Sequence, residues 1–62
     1  NMNTKALKKA LKEQGLSTKD AAVKCGLDRT TVFRLQKGER EPSLRVFKKL
    51  CTGLNISPAD LW

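Results

Sequence analysis

The stretch from Leu16 to Gly38, LSTKDAAVKCGLDRTTVFRLQKG, holds two short helix patterns with little more than Gly26 and Leu27 between them. One continuous helix would bury more apolar surface with fewer ends to cap. The interruption therefore aims the second segment away from the first. Gly26 is suited to the corner, because a residue without Cβ adopts the positive φ that a sharp change of direction demands.

The remaining segments read in the same way. Helix one is expected from about Thr4 to Gln14, with Leu7, Ala10 and Leu11 on one face and Lys5, Lys8, Lys9 and Lys12 on the others. Gly15 stops it, and Leu16 anchors the chain before the next start. Ser17 with Asp20 forms a capping-box variant, so helix two covers about 18–25 and turns Ala21, Ala22 and Cys25 inward. Asp28 is expected to cap helix three, about 29–37, with Val32 and Leu35 inward and Gly38 ending it. After the EREPS loop, Ser43 caps a fourth helix whose stripe is Leu44, Phe47, Leu50, Cys51 and Leu54. Ser57, Pro58 and Asp60 open a fifth, short one. Helices this short, joined by such brief connections, leave no strand candidate. The expected fold is a compact all-α, five-helix bundle forming a single domain over residues 1–62.

A chain of 62 residues is near the size at which one core is marginal without help. Asn1 ahead of Met2 reads as a tag remnant. No apolar run approaches the ~20 residues that span a bilayer, and no signal-peptide pattern opens the chain, so a cytoplasmic protein is expected. Cys25 and Cys51 stand 26 positions apart, without a CxxC pair and without any histidine, which argues against a metal site. Both fall on apolar helix faces, where a reduced cysteine behaves as a small hydrophobe. With no histidine, no glycine-rich phosphate loop and no nucleophile beside a base, neither an enzyme nor a cofactor is expected. Thirteen Lys and Arg against six Asp and Glu give +7, a field that calls for an anionic partner.

With Ala22 where two helices would touch, Gly26 four positions on, then Leu27, Val32 and Leu35, the stretch resembles the helix-turn-helix of the phage repressor and Cro (XRE-like) family. The likeness continues through KGEREPSL and LCTGLNISPADLW and covers Leu7 to Trp62. It implies a five-helix repressor-like domain that sets helix three in the DNA major groove, usually as a homodimer on a palindromic operator. Two features depart from the family. Leu11 and Gln36 stand where many members pair an arginine with a glutamate, and Thr18 stands where a phosphate-contacting glutamine is common.

Within that frame, Arg29 occupies the first turn of helix three, where the macrodipole disfavours a cation by a few tenths of a kcal/mol or more. Base reading accounts for such a placement, because the arginine fork fits guanine O6 and N7. An ion pair with Asp28 is the alternative. Thr30, Phe33 and Arg34 share the outer side, given that Val32 and Leu35 point inward, and complete the base-reading set. Phe33 would touch sugars or thymine methyls, or cover the edge of the core. Ser17, Thr18, Lys19, Thr31, Lys37 and Arg40 are the candidates for phosphate contacts, which position without reading sequence.

The function expected is a sequence-specific regulator of transcription that binds double-stranded DNA, of the small repressor, Cro-like or controller type. The rival is a protein-interaction module, such as an antitoxin that uses the same fold to hold a partner protein. A basic amphipathic membrane binder built on helix one leaves the capped later helices unexplained. Pro58, Ala59 and Trp62 are the expected dimer contacts, because a core already holding Phe47, Leu50, Leu54, Ile56 and Leu61 has limited room for another large ring. The alternative is that Trp62 folds back as a lid on the core.

Overall fold

The computed structural model describes residues 2–62, and Asn1, the expected tag remnant, lies outside them. Five helices follow in order: α1 Thr4–Glu13, α2 Thr18–Cys25, α3 Arg29–Lys37, α4 Leu44–Leu54 and α5 Pro58–Leu61. The described residues contain no strand. Gln14, expected as the last residue of α1, is its C-cap, one position beyond the end.

The starts are set by local side chains. Asn3 accepts the Ala6 N–H on Oδ1 at 3.0 Å. The Ser17 box closes in both directions: Asp20 N–H donates to Ser17 Oγ at 3.1 Å, and Ser17 N–H donates to Asp20 Oδ2 at 3.3 Å. Ser43 Oγ accepts from Val46 N–H at 3.2 Å. Asp28 differs from expectation. Its extended backbone makes it the N-cap of α3, yet its side chain accepts no capping bond. The carboxylate stays exposed to water, which solvates it in place of a backbone amide.

The corner at Gly26 has the geometry its residue type allows, with φ 69° and ψ 37°. There the Leu27 N–H returns to the Ala22 carbonyl at 2.8 Å, which satisfies an orphan acceptor at the end of α2 and turns the chain sharply. Leu27 then packs part-buried against the core. The corner thus costs little apolar burial.

The core gathers residues from all five helices. Leu7, Val32, Leu35, Leu50, Leu54 and Leu61 are its fully buried large side chains. The α2 helix packs on α3 and α4, α1 on α3 and α5, and α4 on α5. The two ends meet, because Asn3 N–H donates to the Leu61 carbonyl at 2.7 Å and Met2 is buried in the same cluster. One residue of the expected α4 stripe is displaced: Leu44 is 71% exposed. At the first position of its helix it lies a full turn before Phe47, and no other element covers it.

The tightest approach joins α2 to α4. A Cβ built on Gly53 would lie 2.6 Å from Cys25 Sγ and 2.8 Å from Cys25 Cα, so glycine alone fits this helix-interior position. Cys25 and Cys51 are both buried free thiols, and burial pushes their pKa above the ordinary value, which keeps them protonated and unreactive. In an open helix Gly→Ala gains up to about 1 kcal/mol. At Gly53 the clash is with backbone as well as sulfur, so Gly53→Ala should instead lower stability by about 1 to 3 kcal/mol. Urea denaturation checks the sign, and an alanine variant as stable as the parent would show that the two helices can move apart freely.

Candidate nucleic-acid interface

With Val32 and Leu35 fully buried, the rest of α3 is distributed by helix geometry. At about 100° per residue, Thr30 and Lys37 lie opposite the buried stripe, with Phe33 and Arg34 roughly 50° to either side. Arg29 lies further round, toward α2. All five are exposed. The four base-reading candidates therefore share one outward surface, joined by Lys37 from the phosphate set.

The other phosphate candidates flank this surface. Thr31 is half-buried on the far side of α3 from Gln36, while Ser17, Thr18 and Lys19 open α2. Arg40 is exposed in the loop beyond Gly38. A helix with an exposed face between two such flanks has the shape of an element that can enter a groove and touch the backbone on either wall.

Among the described residues, neither Arg29 nor Arg34 has a carboxylate within ion-pair distance. The alternative pairing of Arg29 with Asp28 does not form. Both guanidinium groups are free to meet an anion or a base edge, and Arg29 stands where the helix dipole gives it no support. The ion pair present is Lys37 with Glu39, at 3.2 Å, half exposed on both sides. Such pairs contribute about 0 to 1 kcal/mol. Lys37 Nζ also sits 5.1 Å from the centroid of the Phe33 ring, a cation–π contact along one helix turn. The Phe33–Lys37 spacing of i and i+4 was the available signal for this contact, and Phe33 remains 51% exposed, a surface aromatic and not a cover for the core.

The departures from the family pattern turn out to be connected. Leu11 is buried in the core, and the Gln36 amide oxygen accepts the Thr18 hydroxyl proton at 2.8 Å. A neutral bond thus ties the start of α2 to the end of α3. Neither residue suggests this alone. The bond is partly buried, and a lost neutral bond of this kind costs about 1 kcal/mol. Gln14 makes a similar tie, donating to the Leu54 carbonyl at 2.7 Å and accepting from Lys24 Nζ at 3.1 Å.

The expected dimer residues lie on a separate element. Pro58, Ala59 and Trp62 are exposed on and just after α5, which packs on α1 and α4. Trp62 is 62% exposed while its ring meets Phe47 edge to face, with centroids 5.4 Å apart. It therefore rests on the rim of the core without closing over it.

Comparison with known proteins agrees with this geometry. Residues 7–61 match the helix-turn-helix family. The restriction-modification controller protein C.AhdI from Aeromonas hydrophila is similar in structure, with a TM-score of 0.89 and 36% identity. That similarity covers 95% of this chain and 89% of C.AhdI. No curated protein matches the chain.

The Thr18–Gln36 bond yields a direct expectation. Thr18→Val keeps the shape, removes the donor, and should cost about 1 kcal/mol of stability by leaving the amide without its partner. Chemical denaturation of the variant measures it, and an unchanged midpoint would mean that water replaces the hydroxyl at no cost.

Proposed function

The chain belongs to the helix-turn-helix family of DNA-binding transcriptional regulators, and from that premise we propose that it reads a specific double-stranded operator through α3. The reading is carried by one observation: Arg29, Thr30, Phe33 and Arg34 stand together on an exposed helix face where both arginines lack an internal partner. In this reading Arg29 and Arg34 present their forks to guanine edges, and Thr30 and Phe33 meet a base edge or a thymine methyl. Ser17, Lys19, Thr31, Lys37 and Arg40 hold phosphates with their side chains and fix the register, and Thr18, whose hydroxyl proton goes to Gln36, joins them through its backbone N–H. The likeness to a controller protein supports a small regulator of the repressor, Cro or controller type. No helix among the described residues is long and apolar enough to cross a membrane, and the cytoplasm is the compartment this role implies.

The regulator acts as a homodimer in this proposal. The exposed side of α5, with Pro58, Ala59 and Trp62, supplies the contact. Tryptophan is favoured at interface centres because it removes a large area from water for few frozen torsions. A twofold pairing would set the two α3 helices about 34 Å apart, one turn of duplex, which suits a palindromic operator.

Selection of bound sequences from random duplex DNA tests the proposal, with a defined motif as the expected result and no enrichment as the result against it. On the selected duplex, Arg29→Ala should cost about 1 to 3 kcal/mol and relax preference at one base pair, whereas Lys19→Ala should weaken all sequences alike. Equal, sequence-blind losses would remove Arg29 from the reading set. If about six Lys and Arg side chains, counted over both subunits, meet phosphates, affinity should fall roughly a thousandfold between 50 and 200 mM salt. Sedimentation at rising concentration addresses the dimer: Trp62→Ala should shift the protein toward monomer, and half-site cooperativity equal to the parent's would show that the ring is not the contact.

A further inference from the structure

Between the first turns of α2 and α3 lies a hollow of about 170 Å³, lined by Thr18, Arg29, Thr30 and Phe33. It opens on the same surface as the reading face. Its walls are mostly carbon, although its surroundings are polar and cationic. Phe33 supplies an aromatic wall, and Lys37, on the same outward arc, sits 5.1 Å from the ring centroid with Glu39 at 3.2 Å from its ammonium group. Thr18 lines the other side, with its hydroxyl proton already donated to Gln36. That wall therefore has no proton to offer a base edge.

An apolar hollow flanked by an unpaired arginine suits an occupant that is apolar at one point and anionic around it. In the major groove one group has that character, the methyl on pyrimidine C5, which projects from the groove floor between walls of phosphate. A methyl fills a volume of the order of the ~30 Å³ that a water molecule takes. The hollow admits it together with the C5–C6 edge of the ring that carries it. Cytosine and uracil present only a hydrogen at that place.

We propose that this hollow is a subsite for the 5-methyl group of one operator pyrimidine, with Phe33 as the residue that discriminates methylated from unmethylated C5. The proposal rests on the DNA-reading function and goes beyond it by assigning the chemistry of one contact. Thymine and 5-methylcytosine carry the same group at the same position. The subsite therefore makes binding sensitive to cytosine methylation wherever the operator has cytosine there.

The test uses the full chain and duplexes of the selected sequence that differ at one pyrimidine. Each pyrimidine position carries thymine or uracil opposite adenine, and 5-methylcytosine or cytosine opposite guanine. At one position the methylated base of each pair should bind about fourfold tighter, which corresponds to the ~0.8 kcal/mol carried by one buried methyl group. Phe33→Ala should bring both ratios close to one, and circular dichroism should report an intact fold, since Phe33 lies outside the core. Thymine-over-uracil and 5-methylcytosine-over-cytosine ratios near one at every position would overturn the proposal, with Phe33 assigned to sugar contacts instead. A full ratio retained in Phe33→Ala would overturn it as well. Methyl-indifferent but specific binding defeats this subsite alone, whereas no specific binding to any duplex defeats the DNA reading and the subsite with it.

Discussion

The contact between Cys25 and Gly53 is the constraint on which the arrangement depends. Because a Cβ at Gly53 would fall within 3 Å of Cys25, α2 and α4 meet almost backbone to backbone at the last turn of α2. The last turn of α2 is thereby set against α4. Immediately after that contact the chain turns at Gly26, so the direction of α3 is set from a fixed point. In a domain this small, with its large buried side chains nearly all leucine, one close approach locates a helix more sharply than a layer of interchangeable side chains does.

From that point outward the molecule separates its tasks. Val32 and Leu35 satisfy the core, which leaves the opposite arc of α3 free to carry residues that add nothing to stability. Arg29 in the positive first turn works against the isolated fold, and Phe33 leaves half its surface in water. This cost is tolerated because α3 is held from behind by α1 and α2, and at its end by the Thr18–Gln36 bond. With Leu11 buried in the core and Gln36 tied by a neutral bond, this region avoids the desolvation of two charges that a buried ion pair would require.

How much of this was legible follows from the range over which each signal acts. The bounds of α2 and α3 were readable because a capping box spans three residues and a left-handed glycine acts at one position. The inward faces were readable from spacing alone. The Asp28 carboxylate left its cap unmade because a favourable residue type does not fix a rotamer. Leu44 continued the α4 stripe on paper, but exposure depends on whether another element reaches that turn. Met2 in the core, the Thr18–Gln36 tie and the Cys25–Gly53 approach join residues distant in sequence, and no local pattern announces them. At the candidate interface, helical spacing brought Arg29, Thr30, Phe33 and Arg34 to one surface, while the hollow beside Phe33 required the packing of α2 against α3.

The Lys37–Glu39 pair bears on how the interface exchanges charge. A lysine that meets a phosphate ordinarily displaces a mobile cation from the duplex, and the entropy of that release drives association. Lys37 already has a counter-anion attached to its own chain. If Lys37 turns to a phosphate, Glu39 is left beside the polyanion and retains a cation from solution. One ion is freed at the duplex and one is recaptured on the protein. In that event the pair would be nearly silent in the ionic-strength dependence of binding, even with the ammonium group on the backbone. Counting lysines on the face would overstate the ions released, and Glu39 makes the difference.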